Sequence, residues 1–93
     1  MQIEFVSPEE QINPENDNVD VRLRLDDGRV FGLLVATPNN IYWCMDNGST
    51  DFYFGVPPLF VRRITRQSVE TAIAALLKEP QWLSTYATQQ EVA

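Results

Sequence analysis

With 93 residues, 44% of them hydrophobic and 22% charged, the chain has the size of one globular domain and enough apolar groups to bury a modest core. Its 13 carboxylates against 7 basic groups leave a formal charge of −6, which disfavours nucleic acid and other polyanions as partners. Histidine is absent, and with it go Ser-His-Asp and Cys-His nucleophile systems, histidine metal ligands and the one side chain that titrates near neutrality unaided.

The chain opens with MQIEFV, whose alternation puts Ile3 and Phe5 on one face of a short strand ending at Ser7-Pro8. Residues 7–18, SPEEQINPENDN, are polar and carry two prolines, so they predict a mobile acidic loop. Glu9, Glu10, Glu15 and Asp17 all precede the first basic residue, Arg22. In VDVRLRL, Val19, Val21, Leu23 and Leu25 share one side and Asp20, Arg22 and Arg24 the other, as a strand with one wet face requires. Asp27-Gly28 tolerates the positive φ of a hairpin turn, so RVFGLLVA should pair antiparallel with it. That second strand is apolar on both faces and should be covered twice.

Thr37-Pro38 ends the strand and suits the N-cap and first position of a helix that stops near Asn47-Gly48. Ile41, Tyr42 and Trp43 are also compatible with a strand, and a parallel βαβ unit is the alternative for this middle stretch. Phe52-Tyr53-Phe54, broken by Gly55 and Pro57-Pro58, reads as an edge piece or extended loop, and LFVRRI at 59–64 as a strand. Thr65 caps RQSVETAIAALLKE, in which Val69, Ile73, Leu76 and Leu77 have the spacing of a buried helical stripe. Pro80 ends it and opens a short last helix with Trp82, Leu83 and Tyr86 on one face, and 88–93 form a frayed tail. The expected fold is a single α+β domain over 1–93. It has an antiparallel sheet of about four strands, an amphipathic C-terminal helix and one or two short helices packed mainly on one face.

Cys44 stands alone, so neither a disulfide nor a thiolate zinc site can form within the chain, and a reducing compartment, the cytoplasm, is expected. Its large apolar neighbours predict a buried, inert thiol. No run approaches the ~20 apolar residues of a membrane span, and no basic-then-apolar leader is seen. Nucleotide motifs of the GxGxxG or GxxxxGK type are missing, and the carboxylate pairs Asp26–Asp27 and Asp46–Asp51 lie in turn-forming sequence. No catalytic residue, metal or cofactor is therefore assigned.

Two groups point toward binding. Arg62, Arg63 and Arg66 gather where the late strand meets the main helix. They read either as a solvated face, with one or two of them beside Arg22 and Arg24 on the sheet and paired with Asp20 or other carboxylates, or as an anion site at a helix N-terminus. Tyr42, Trp43, Phe52, Tyr53, Phe54 and Phe60 crowd into one stretch, more rings than a small core readily hides. The reading that follows is a non-enzymatic protein-binding module. Glu9, Glu10, Glu15 and Asp17 would steer toward a basic partner protein, and rings such as Trp43 and Tyr53 would anchor it. A small-ligand pocket lined by Tyr42, Trp43, Phe54 and Phe60, with arginine for an anionic group, is the alternative; an enzyme working on carboxylates, tyrosine or arginine stands third. A homodimer is compatible with the two-sided strand.

From Thr37 to Tyr86 the order TPxNI, YF, FVxxIT, SVETAIAALLKE and QWLSTY resembles a group of small bacterial proteins, some associated with mobile gene cassettes and toxin immunity loci. The resemblance covers the C-terminal half and rests on capping, turn and packing positions, so no functional residue is carried over. It implies a compact inhibitor-like or accessory protein without catalysis.

Overall fold

A computed structural model describes residues 1–54 and 57–91, with the backbone alone for 88–91. Gly55, read above as a break, and the last two residues of the expected tail lie outside the described residues. Strands β1 (Gln2–Phe5), β2 (Asn18–Arg24) and β3 (Val30–Ala36) form an antiparallel meander. The β2–β3 turn closes through Leu25 N–H to the Arg29 carbonyl at 2.8 Å and Gly28 N–H to the Leu25 carbonyl at 3.0 Å. Gly28 alone in this turn has a positive φ, 91°, so the connection is a three-residue loop with a glycine bulge. The Arg29 backbone N–H, reinforced by its guanidinium 2.7 Å away, holds the Asp27 carboxyl below its ordinary pKa.

Beyond β3 the sheet is mixed. Helix α1 (Pro38–Gly48) crosses to β4 (Leu59–Phe60), which lies parallel to Val35 and Ala36, and helices α2 (Arg66–Leu76) and α3 (Trp82–Tyr86) follow. The chain ends its described course as β5 (Ala87–Glu91), antiparallel to Val30–Leu33. Because these registers do not overlap, β5 and β4 share the edge of β3 that β2 does not use. Both sequence alternatives thus hold in part: the frame is antiparallel, and one βαβ unit is set into it.

Two expectations need correction. The stretch 88–91 is strand rather than frayed tail, since the free edge of β3 gives its backbone groups partners. LFVRRI is not a six-residue strand: β3 ends at Ala36 before Thr37-Pro38, so after Val61 N–H reaches the Ala36 carbonyl at 3.0 Å the described residues offer no further partner backbone along that edge. Residues 7–18 also make backbone contacts with distant parts of the chain. They hold a 3-10 turn at Glu9–Gln11, and the Pro14 carbonyl accepts from Ile64 N–H at 2.8 Å.

The core lies on one side of the sheet, where Val19, Val21 and Leu23 face Val35, Leu33 and Phe31 across the ladder. Val69, Ile73 and Leu76 of α2 cover them, together with Val61, Ile64 and Trp82. On the other side Val30 and Ala36 are buried while Gly32 and Leu34 are half-covered, so the double cover expected of β3 is complete at its ends only. Thr65 caps α2 through a capping box, its hydroxyl accepting from Ser68 N–H at 3.1 Å and Ser68 Oγ accepting from Thr65 N–H at 3.0 Å.

Helix α1 ends one residue later than its glycine signal. Gly48 stays inside the last turn, and Ser49 takes the left-handed position, φ 56° and ψ 42°. Ser49 N–H to the Asp46 carbonyl and Thr50 N–H to the Met45 carbonyl complete a Schellman motif. A serine there carries the Cβ penalty that glycine avoids, so Ser49→Gly should raise stability by about 1 kcal/mol, read as a higher urea midpoint at unchanged slope. A lowered midpoint would count against the left-handed cap.

Candidate functional site

Two groups of side chains on and after α1 stand out. The first is aromatic. Thr37 accepts from Asn40 N–H and Pro38 opens the first turn, which orients the helix so that Asn40 is its one buried residue. Tyr42 and Trp43 are 67% and 52% exposed, and the stretch after the helix continues the pattern. Phe52, Tyr53 and Phe54 are 62%, 44% and 83% exposed, and Phe52 stacks on Phe54 with ring centroids 5.9 Å apart. Phe60 of β4 is half exposed. Rings left in water keep their apolar area available for a contact. From Val30 to Val61 the only charged residues are Asp46 and Asp51, both exposed.

All six sequence-predicted rings therefore sit at the surface. The pocket expected from Tyr42, Trp43, Phe54 and Phe60 does not gather as a set of enclosed walls, because each of the four is half or more exposed. Cys44, expected to be buried, is half-buried on α1, its thiol 3.7 Å from Asn40 Oδ1.

Two of the three arginines pair with carboxylates, as expected, but the partners lie in residues 7–18. Arg66 does not join Arg22 and Arg24 on the wet sheet face, where Arg22 meets Glu4 at 3.3 Å. Its guanidinium binds the Glu9 carboxylate and the Ile3 carbonyl, the latter at 3.1 Å, and lies 5.0 Å from the centre of the Phe5 ring. Arg63 pairs with Glu15 at 3.7 Å, and Arg62 is exposed. The Asp17 carboxylate accepts from Asn13 N–H at 3.0 Å and Asn18 N–H at 2.8 Å. Glu9, Glu15 and Asp17 thus have partners within the chain, yet Glu9 and Glu15 stay exposed like Glu10, and Asp17 is the half-buried member of the predicted acidic set. At the start of α2 the Ser68 N–H is taken by Thr65 and the Arg66 guanidinium by Glu9.

The second surface went unread in the sequence. A cleft of about 380 Å³ is lined by Asn13, Asn16, Asp17, Asn18, Asn40 and Trp43. At its floor Asn40 is buried; its Oδ1 accepts from Asn18 Nδ2 at 2.7 Å, and its Nδ2 donates to Asn16 Oδ1 at 3.0 Å. Thr37 joins the same network, since its Oγ1 accepts from Asp17 N–H and its own N–H donates to the Asp17 carbonyl. The available signal was the asparagine density of NPENDN and of TPNN, which as composition indicates only turns.

Among the described residues, no group of three or more Cys, Asp or Glu side chains is arranged to hold a metal ion, and no helix is long and apolar enough to cross a membrane. No protein-family model, curated protein or solved structure matches the chain.

Proposed function

We propose that this chain is a non-enzymatic protein-binding module that contacts a basic partner protein through the rings of α1 and residues 52–54. The observation that carries this reading is the exposure of six aromatic side chains between residues 42 and 60, on a stretch whose only charges are Asp46 and Asp51. Tyrosine, tryptophan and phenylalanine bring large contact area at small entropic cost, and such rings dominate binding energy where they become desolvated. Two carboxylates at the margin, within a chain of net charge −6, favour approach of a positive surface and repel a negative one. Glu9, Glu15 and Asp17 already have partners within the chain, so steering rests on Glu10, Asp46, Asp51 and the overall charge. An immunity-type or accessory inhibitor covering a basic protein is the most concrete form of this reading.

The test is affinity capture from host lysate with the full chain and with the Tyr42→Ser/Phe52→Ser/Phe54→Ser variant, whose exposed positions should leave the melting temperature unchanged. A basic protein should be held by the wild type in a salt-sensitive complex. In the variant its affinity should fall at least tenfold, about 1.4 kcal/mol. Equal retention by both chains, or a wild-type chain that captures nothing and scatters light as a monomer, would overturn the reading. A scattering mass doubled in the wild type and single in the variant would replace the basic partner by a second copy.

A further inference from the structure

We infer that the cleft between residues 13–18 and the first turns of α1 binds a neutral polyhydroxylated ligand, a sugar ring lying on the Trp43 indole. The lining holds four asparagines and one aspartate but no lysine or arginine. An anion would meet the Asp17 carboxylate with no cation to offset it, and a cation would find one carboxylate already bonded to two backbone N–H groups. Uncharged hydroxyls, which donate and accept at once, suit a wall of amides that do the same.

The wall is fixed in advance. Asn40 is 5% exposed, and its amide is bonded to Asn16, Asn18 and the Cys44 thiol. These bonds use one lone pair of Asn16 Oδ1 and one proton of Asn18 Nδ2, leaving the Asn16 amino group and the Asn18 carbonyl for a ligand. Side chains locked by mutual hydrogen bonds lose little entropy when a ligand arrives.

Trp43 stands three residues after Asn40, on the same side of α1, and half of its surface is open. An indole face beside a polar wall matches a pyranose, which has an apolar C–H side and a rim of hydroxyls. The volume, about 380 Å³, falls in the small-molecule range. This site shares Trp43 with the aromatic surface proposed above but does not use Tyr42, Phe52 or Phe54, so substitutions at those three positions separate the two.

The experiment titrates the nitrogen-15-labelled full chain with glucose, galactose, mannose, N-acetylglucosamine, maltose and lactose, each to about 10 mM, ten times a weak millimolar Kd. The side-chain amides of Asn16 and Asn18 and the Trp43 indole N–H are followed by NMR. At least one sugar should shift all three saturably. In Trp43→Ala, where a half-exposed side chain is removed and the fold should stand, the amide shifts should weaken tenfold or more. They should persist in the Tyr42→Ser/Phe52→Ser/Phe54→Ser variant. Three results would overturn the inference: no saturable shift with any sugar, undiminished shifts in Trp43→Ala, or shifts at these amides caused by choline, inorganic phosphate or adenosine but by no sugar.

Discussion

Replacing Trp82 by alanine should cost about 3–5 kcal/mol and loosen the C-terminal strand from the sheet. Trp82 is 8% exposed and meets Phe31 edge-on, with centroids 5.3 Å apart and planes at 83°. Helix α3 passes directly into β5, and β5 pairs Gln90 with the same Phe31. The indole therefore fixes both the packing and the approach of the last strand. In a domain whose total stability is of order 5–15 kcal/mol, the loss should move the urea midpoint well into dilute denaturant. Hydrogen exchange should also quicken at amides of β3 that face β5, ahead of those that face β2. A Trp82→Leu, Phe31→Leu double-mutant cycle should return about 0.5–1.5 kcal/mol for the ring pair. A loss under about 1 kcal/mol in Trp82→Ala would mean that the indole is not part of the core.

What could be read from the sequence was what is decided locally. Alternation in Val19–Leu25 and the Asp27-Gly28 turn define the hairpin without help from the rest of the chain. Thr37-Pro38 and Thr65 place helix starts because an N-cap needs only the three residues after it. The parts that escaped are those fixed by distant partners. The sequence ATQQE of β5 has no apolar alternation, and its strand exists because the edge of β3 needs pairing. The ordering of residues 7–18 comes from Asn40, Ile64 and Arg66, which lie far along the chain.

The candidate surfaces divide in the same way. That six rings between residues 42 and 60 exceed what a small core can hide follows from counting. Which of them are exposed depends on α1 burying only Asn40. The arginines meet carboxylates as expected, but which carboxylates was not legible, because LFVRRI reads as one strand; once pairing stops after Val61, Arg63 and Arg66 fall against Glu15 and Glu9. The asparagine network left no periodic trace, since its members come from a loop, a strand end and a helix and are related only by contact.

Ile73→Ala should cost about 2–5 kcal/mol, and Leu77→Ala should cost clearly less. The stripe of Val69, Ile73, Leu76 and Leu77 treats the four as equivalent, yet Ile73 is fully buried beneath the sheet while Leu77, the C-cap residue, is half-covered. An alanine at 73 leaves a cavity walled by β2 and β3 side chains that the ladder holds in place, so little collapse can relieve it. At 77 the helix has ended, and water can take up part of the lost contact. Urea midpoints at equal slope would measure both. Equal losses would place Leu77 in the core and shift the register of α2 over the sheet. Because Ile73 lies on the sheet side of α2 and the exposed rings lie on α1 and residues 52–60, Ile73→Ala should keep full partner affinity wherever it remains folded. A binding defect in the folded Ile73→Ala protein would mean instead that the aromatic surface depends on α2 packing for its shape.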